Sequence, residues 1–486
     1  MKKSFLLWTG LGLTLSLIIY WIYSQHFLHI SFVDEEDYFL IGKYLNNGIK
    51  LYSKYFSHHQ PGAYAISGLI QKITKPNSIY LLVKRHRQFM AVWSMGWCLF
   101  LVIKYRMRGL LACLAIEAIS LTYFKNMFLP ESLVIYPLIF GASQVFDDNF
   151  DNFWWATCVS FISTLLAPLW PIVLVLFLAK LWVKKKYRKE VLKIILGGLT
   201  PWLILLPTID IKNYFYDAIF VNLKYYIPQV DNGSWWLSVS RLISLLFTKS
   251  GDIQAITIKL FLIILWIGTV TRFKSNKIKT TLMLVLIVLT DTRRQEITKI
   301  GFDGFHGLPW IAMIIWMSIK IIPKKLLFMP LVVILFMSDR YWNSNLIKRD
   351  LDTDYYVHYS QQIDVGEPIK IMKKADSKVF VVPDKPLIYW HSDTAPPNKF
   401  VFFYKWMNNT GFMRQEIEGS VDKENFDFWV YPWENQDLPG FENYLTKNYV
   451  RLKRGGEYVN LYVKQDIIDG LNEEQKMKLS FYNYEY

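Results

Sequence analysis

The chain has 486 residues, of which 52% are hydrophobic and 17% are aromatic, and it carries a formal net charge of +15 at pH 7. Apolar runs close to bilayer-crossing length recur through residues 1–338, which indicates membrane helices and argues against a soluble globular protein. The basic residues cluster in the short connections between these runs. This positive-inside pattern indicates membrane orientation and argues against a nucleic-acid partner.

The first apolar run, residues 1–24, begins with Lys2 and Lys3 and resembles the start of a signal peptide. Its apolar part is long, no small-residue cleavage site follows, and more apolar runs come after it. We therefore expect an uncleaved first membrane helix with the N-terminus in the cytoplasm. Residues 26–83 then form the first outer loop, in which the short apolar stretch 61–73 is typical of a re-entrant or interfacial helix.

Ten further crossings are predicted, which makes eleven in total and a mainly α, polytopic membrane protein. They lie at residues 84–101, 109–124, 131–146, 153–167, 170–183, 191–208, 255–271, 279–290, 307–321 and 326–338. With this threading, every strongly basic connection faces the cytoplasm and the C-terminal region ends outside. Residues 209–240 mix aromatic and charged residues, as in an amphipathic interfacial helix followed by a loop.

Two domains are expected, a transmembrane domain over residues 1–338 and an extracytoplasmic domain over residues 339–486. The second has the composition of a soluble sequence, with short strand-like runs separated by turns and helical stretches, so we expect a small α/β domain. The expected strands are 377–383, 399–406, 426–432 and 457–464.

Three cysteines, Cys98, Cys113 and Cys158, all lie inside apolar runs. Their position predicts that the cysteines pack as small apolar residues and form neither a disulfide framework nor a metal site.

Four consecutive carboxylates, residues 34–37, follow directly on the first crossing. Asp34, with Asp37 three residues later, fits the N-cap of a helix whose acidic first turn complements the helix dipole. On this interpretation Glu36 and Asp37 do little beyond capping. It does not explain why the cluster lies at the end of a crossing, so Asp34 and Glu35 are also candidates for chemistry.

Two further outer segments carry ionisable residues beside apolar stretches. His58 and His59 precede a Pro-Gly, and Glu131 follows Pro130 at the start of a crossing. Each has a structural interpretation, as hydrogen-bonded interfacial histidines or as a first-turn acid. A carboxylate at the mouth of a crossing is also a candidate for a functional site.

The outer connection 291–310 carries Arg293, Arg294, Glu296 and His306. Paired arginines suit phosphate, which they bind through planar multidentate hydrogen bonds. Alternatively, Arg293 and Glu296 pair along one helical turn. Together, the four outer segments form a set that can hold a cation and a lipid-linked phosphate beside a general base.

The order of these features resembles the GT-C glycosyltransferases, particularly the bacterial relatives of protein O-mannosyltransferases and of aminoarabinose transferases. An Asp-Glu pair, Asp34-Glu35, opens the first outer loop and is followed by "LNNGIKLYSKYFSHHQPG". The later loop "RRQEITKIGFDGFHGLPW" and the tail segment 379–407 also resemble this family, although His306 precedes a glycine where the family has tyrosine.

The resemblance implies an enzyme of the cell envelope that transfers a sugar from a polyprenyl-phosphate donor, with inversion, to a lipid, protein or glycan acceptor at the outer membrane face. Asp34 is then the expected general base, with Glu35 supporting it or binding the acceptor. A divalent cation is a candidate cofactor, and membrane lipids are further partners. The donor phosphate is assigned to Arg293, Arg294 and Lys54, and the metal or supporting roles to Glu131, His58, His59, Glu296 and His306.

Two other classes of protein fit the same chain. One is a polysaccharide or lipid-linked sugar transporter or flippase, which would place its charges near the membrane midplane. The other is a non-enzymatic membrane assembly factor whose tail binds a partner. The position of the charges at the ends of the crossings favours the glycosyltransferase.

Overall fold

The computed structural model describes most of the chain in thirteen stretches. These are residues 2–28, 32–147, 149–230, 235–248, 253–273, 277–291, 304–342, 351–381, 385–401, 406–407, 410–411, 426–431 and 441–486. Arg293, Arg294 and Glu296 lie outside the described residues.

The first 342 residues are helical wherever long apolar runs occur. The helices of eight or more residues in this part are α1 (Lys2–Ser24), α2 (Val33–Asn46), α3 (Pro61–Thr74), α4 (Ile79–Tyr105), α5 (Met107–Ser120), α6 (Pro130–Asp147), α7 (Asn152–Leu165), α8 (Trp170–Lys184), α9 (Arg188–Leu205), α10 (Trp235–Phe247), α11 (Ile253–Phe273), α12 (Lys277–Leu289), α13 (Leu308–Ile321) and α14 (Phe328–Trp342).

Each of the eleven predicted crossings coincides with a helix, but the helices differ in length. Five in the described residues are long and apolar enough to cross a membrane: Lys3–Ser24, Ile79–Tyr105, Ala167–Lys184, Arg188–Thr208 and Ala255–Arg272. Other predicted crossings are shorter, such as α5 and α7 with 14 residues each. At 1.5 Å per residue such a helix extends about 21 Å, less than the roughly 30 Å hydrocarbon layer.

The bundle is built from neighbouring helix pairs: α1 packs on α4, α7 on α9, and α11 on α13. Helix α13 is buried along almost its whole length, whereas α1, α8 and α9 expose many large apolar side chains. This distribution fits a bundle with α13 inside and the other three helices facing lipid.

Helices α2 and α3 come between α1 and α4 in the chain, and they pack against each other. Helix α3 matches the predicted interfacial stretch 61–73 and begins at Pro61, a residue preorganised for the first helical position. Helix α2 begins at Val33 with Phe32 as N-cap, so the prediction of Asp34 as N-cap is wrong. Asp34 lies inside the first turn, where its carboxylate still complements the helix dipole.

Two glycines allow α2 and α3 to approach closely. A Cβ added at Gly42 would lie 2.7 Å from Ser67 Oγ and 2.8 Å from the backbone nitrogen of Gly68. A Cβ at Gly68 would lie 3.1 Å from the carbonyl oxygen of Gly42. The crossing point therefore has no room for a side chain on either helix.

Residues 209–240 are only partly as predicted. Short helices Ile211–Tyr214 and Ile227–Val230 flank two π-helical turns, Phe215–Phe220 and Asn222–Tyr226, so this segment is helical as expected, and its position in the membrane interface stays a prediction. The expected loop after it is wrong over its last residues, because α10 begins at Trp235.

The described residues of the tail form a five-stranded sheet with strand order β1-β2-β4-β3-β5. Strands β1 and β2 are parallel and the other neighbours are antiparallel. The strands are β1 (Val379–Val381), β2 (Phe428–Val430), β3 (Tyr449–Arg454), β4 (Glu457–Lys464) and β5 (Tyr484–Glu485), and the tail helices are α15 (Leu351–Met372), α16 (Leu387–Ser392), α17 (Phe441–Asn448), α18 (Gln465–Asp469) and α19 (Glu473–Phe481).

Three of the four predicted tail strands are confirmed, those that overlap β1, β2 and β4. The fourth strand was predicted over residues 399–406, but its described start, residues 399–401, is not a strand. Strand β3 was not predicted. Side chains alternate between two apolar clusters, so that Val379 and Val381 join the main core while Phe380 joins a separate cluster with Trp429 and others. A small mixed α/β tail is therefore present.

Candidate functional site

The acidic first turn of α2 directs its carboxylates to different neighbours. Glu35 is fully buried and forms an ion pair with Arg87 of α4, with Glu35 Oε2 2.6 Å from Arg87 Nη2. The backbone N–H of Phe128 also donates to Glu35 Oε1 at 2.7 Å. Both carboxylate oxygens are thus bound by the protein, which favours a structural part for Glu35 over direct contact with an acceptor.

Glu36 links α2 to the tail. Its carboxylate is buried and accepts hydrogen bonds from Nε2 of Gln362, in α15, at 3.0 and 2.9 Å. The expectation that Glu36 does little beyond capping is therefore wrong. Glu36 meets a different neighbour from Glu35 because a one-residue step along a helix turns a side chain by about 100°.

Asp37 is fully buried against α3. The Tyr64 hydroxyl donates to Asp37 Oδ2 at 2.6 Å, and Ser57 Oγ lies 2.6 Å from the same hydroxyl. In the described residues, Asp37 Oδ1 has no hydrogen-bond partner. Burial raises the pKa of Asp37 well above its usual range, the Tyr64 hydrogen bond opposes this, and the charge of Asp34 adds to it. The expectation that Asp37 has only a capping part is therefore also wrong.

Asp34 is the one of the four acids that the fold leaves half-buried. It lies three residues before Asp37, so both carboxylates project from the same side of α2. A half-buried carboxylate beside a fully buried one can accept a proton from a bound molecule.

Glu131 and His306 meet although 175 residues separate them in the chain. Glu131 lies in the first turn of α6, as predicted, and its Oε1 is 2.6 Å from Nδ1 of His306. Phe305, beside His306, packs on Phe32 directly before α2, with ring centroids 5.2 Å apart. The pair is thereby attached to the start of the acidic turn.

Tyr38 shows that these carboxylates share one electrostatic environment. Burial raises the pKa of Tyr38 well above its usual value, and the charges of Glu131, Asp34 and Asp37 raise it further, in that order. Such an effect requires the three acids to lie near the same phenol. Together with the Phe32–Phe305 contact and the Glu131–His306 hydrogen bond, this groups Asp34, Asp37, Glu131 and His306 into one site, here called the acidic site.

His58 and His59 border the acidic site. The ring of His59 lies 5.5 Å from that of Tyr38, and the two histidine rings are 4.0 Å apart. Asn222 donates to the carbonyl oxygen of His58 at 2.6 Å. The aromatic region after α9 therefore contacts the first loop, as a cover over the site would.

An apolar groove of about 1020 Å³ lies on the other side of α3, between α3, α4, α7 and α9. Its walls include Ile66, Trp93 and Phe161, and none of its lining residues is charged. Gly62 lines the groove, while Tyr64, two residues later, bonds to Asp37. The first turn of α3 thus separates the groove from the acidic site by the thickness of one helix.

A second buried charge cluster lies in the bundle and was not predicted. Lys125 Nζ lies 2.6 Å from Glu117 Oε1 and 2.7 Å from Ser94 Oγ, and the Tyr23 hydroxyl donates to Glu117 Oε2 at 2.8 Å. The Tyr136 hydroxyl also donates to Glu117. The sequence signal was a single carboxylate inside an apolar run, which is expensive to bury without a partner.

The remaining predicted residues are not gathered at the acidic site by any described contact. Lys54 has an exposed side chain on the first loop. All three cysteines are free, and Cys98 and Cys113 are buried as predicted.

The described residues contain no group of three or more His, Cys, Asp or Glu side chains that could hold a metal ion. Glu131 and His306 supply two such side chains, and a cation such as Mg²⁺ is often held by one or two protein carboxylates together with waters and a substrate phosphate. The divalent cation therefore stays a prediction.

The class that the fold defines is a mostly helical membrane protein with a small mixed sheet in its tail. No model of a known protein family matches the chain, and no curated protein matches it. The resemblance to GT-C glycosyltransferases thus stays a prediction that depends on its motifs and on the chemistry of the acidic site.

Proposed function

We propose that the chain is a membrane glycosyltransferase of the GT-C type. It transfers a sugar from a polyprenyl phosphate to an acceptor at the outer face of the membrane, with the first loop and the tail on that face. The observation that carries the proposal is the position of the acidic site, one helix away from an uncharged groove. A groove of this size and composition suits a prenyl chain, whose phosphate would lie at the groove's polar end.

The reaction follows from the chemistry of an inverting transfer. The acceptor hydroxyl oxygen attacks C1 of the sugar, and the bond between C1 and the phosphate oxygen breaks. Its electron pair leaves with the polyprenyl phosphate, while the hydroxyl proton passes to a carboxylate. Asp34 is the best placed base because it is the accessible acid of the turn.

The residues around Asp34 position it and shape the site. The ion pair of Glu35 with Arg87 holds the first turn of α2 against α4. Glu131 orients the His306 ring through Nδ1, so this imidazole can face a phosphate or a sugar hydroxyl. Lys54, Arg293 and Arg294 remain the proposed positive charges for the leaving phosphate.

The test uses the purified full-length protein with candidate polyprenyl-phosphate sugars, and release of the polyprenyl phosphate is measured by mass spectrometry. We expect turnover by the wild type and a decrease of roughly 100-fold or more in Asp34→Asn, since a general base contributes about 10²–10⁴-fold. Asp376→Asn, which changes an exposed tail carboxylate, is the matched control and keeps wild-type turnover.

Two results would contradict the proposal. Wild-type turnover in a folded Asp34→Asn protein would exclude Asp34 as the base. Absence of polyprenyl-phosphate release with every donor, together with movement of the lipid-linked sugar across a bilayer, would favour the transporter.

A further inference from the structure

A polar pocket of about 310 Å³ lies apart from the acidic site, where the first loop meets the tail. Its walls come from the end of α2, from the connection between α3 and α4, and from tail helices α15 and α16. Neither the proposed transfer nor the apolar groove uses this pocket.

The inner wall of the pocket is fixed by buried contacts. The indole N–H of Trp390 donates to Gln71 Oε1 at 3.0 Å, and both residues are buried. Lys43 donates to the carbonyl oxygen of Trp390 at 3.0 Å. These bonds join α2, α3 and α16, so the pocket has a preformed shape.

The lining carries an excess of positive charge. Three lysines, Lys43, Lys75 and Lys370, and one carboxylate, Asp393, line the pocket, and a second carboxylate, Glu367, lies behind the lining residue His391, to which it bonds. Asp393 is already paired with Lys43 at 2.7 Å and approached by Lys373 at 3.6 Å. Within the described part of the chain, Lys75 and Lys370 form no ion pair. Two cationic groups are therefore available to an anion.

Side-chain amides complete the polar lining. Asn47 and Asn77 also line the pocket, and a side-chain amide of this kind can donate two N–H groups to an anion. A phosphate group accepts several hydrogen bonds and carries negative charge, so ammonium and amide donors around one cavity match it better than they match a neutral molecule.

The pocket also lies at the end of a membrane-crossing helix. Lys75, Pro76 and Asn77 immediately precede Ser78, the N-cap of α4, and α4 is one of the helices long enough to cross a bilayer. The phosphates of lipid headgroups lie at this level, and basic side chains there attract anionic lipids.

We infer that this pocket binds a phosphate group, supplied by the headgroup of an anionic lipid or by a soluble phosphate. The two sources share the same recognition by Lys75 and Lys370. The inference does not depend on the proposed sugar transfer, because its test measures binding alone.

The lipid arm of the test uses the full-length protein purified in phosphatidylcholine nanodiscs with and without phosphatidylglycerol, and the phosphatidylglycerol that stays bound after re-extraction is quantified. The soluble arm measures inorganic phosphate binding calorimetrically in phosphatidylcholine alone. The test variant is Lys75→Gln with Lys370→Gln. The control is Lys72→Gln with Lys374→Gln. It removes the same charge from two exposed lysines that lie near Lys75 and Lys370 in the chain but do not line the pocket.

We expect the test variant to bind roughly 30-fold more weakly than the wild type and the control, since two lysines near an anionic surface together contribute about 2 kcal/mol. If the test variant loses only phosphatidylglycerol binding, the pocket is a lipid headgroup site. If it loses both phosphatidylglycerol and inorganic phosphate binding, the pocket is a general phosphate site. Equal binding by the two double variants, or no binding by the wild type in either arm, overturns the inference. Matching unfolding temperatures exclude misfolding as the cause.

Discussion

Four adjacent carboxylates acquire four different environments because a helix turns by about 100° at each residue. Glu35 faces an arginine, Glu36 faces a glutamine amide, Asp37 faces a tyrosine hydroxyl and Asp34 stays half-buried. The chemical role of each acid is therefore decided by the neighbouring helix that its side chain meets. Of the four acids, Asp34 is the most exposed to a bound molecule.

The raised pKa of Asp37 gives a prediction about stability and pH. The folded protein binds a proton at Asp37 that the unfolded chain releases near pH 4, so stability falls as pH rises from about 4 through the raised pKa. Asparagine cannot titrate, and Asp37→Asn therefore loses this part of the pH dependence. We expect the unfolding temperature of wild type relative to Asp37→Asn to decrease as pH rises from about 4 through the raised pKa of Asp37 and to level off above it.

The matched control for this measurement is Asp376→Asn, because Asp376 is exposed in the tail. Its unfolding temperature should follow that of wild type across the same pH range. Parallel curves for wild type and Asp37→Asn would show that Asp37 does not titrate differently in the folded protein.

At the scale of elements, α3 separates two chemical environments. One face presents Tyr64, Ser67 and Gln71 to α2, and the other presents Ile66 and Leu69 to the apolar groove. The helix can do this because its residues alternate between the two faces with a period of 3.6. Its distance from α2 sets the geometry of the acidic site.

A substitution at the α2–α3 crossing tests this dependence. In Gly42→Ala the new methyl group would meet Ser67 Oγ and the Gly68 backbone, so the helices must separate. We expect a loss of about 1–3 kcal/mol in stability, as for other overpacked contacts. The proposed transferase activity should also decrease, since Tyr64 moves away from Asp37. Thermal unfolding and the polyprenyl-phosphate release assay measure the two effects.

Gly10→Ala is the control for this substitution, because a Cβ at Gly10 meets no atom within 4 Å. It should leave activity unchanged and should not lower stability, since alanine is favoured over glycine in a helix interior by about 0.5–1 kcal/mol. Unchanged stability in Gly42→Ala would mean that α3 moves freely relative to α2, which would weaken the argument for a preformed site.

At the scale of the whole molecule, Arg87 joins distant parts of the chain. Its guanidinium bonds to Glu35 of α2 and to the carbonyl oxygen of Phe27 after α1. Tyr359 of the tail helix α15 lies 3.5 Å from Arg87 Nη2. Bundle, first loop and tail therefore meet at one buried cation.

Removing this cation should destabilise the fold as a whole. Arg87→Gln leaves the Glu35 carboxylate buried without its ionic partner, a change that costs roughly 3–5 kcal/mol. The exposed neighbour Arg85→Gln is the control, with a change below about 0.5 kcal/mol. Chemical denaturation in detergent measures both.

A double variant tests whether the loss comes from the pair. Arg87→Gln combined with Glu35→Gln should lose less stability than the sum of the single variants, because neither charge is then left alone. Additive losses would show that Glu35 and Arg87 act independently.

Much of the fold follows from the sequence because burial in a membrane imposes long apolar runs. Each predicted crossing coincides with a helix, α3 lies where an interfacial helix was expected, and Glu131 is in the first turn of α6. Strand β3 and the irregular residues 399–401 were missed because short alternating runs distinguish strand from loop poorly.

The sequence by itself determined the apolar helices, their basic connections, and which segments carry acids and histidines. These features depend on local composition and on the 3.6-residue period. Only the tertiary structure decided that Glu131 bonds to His306, that Glu35 forms an ion pair with Arg87, and that the buried Asp37 accepts a hydrogen bond from Tyr64. Such pairings join residues far apart in the chain, and no local pattern specifies which buried charge finds which partner.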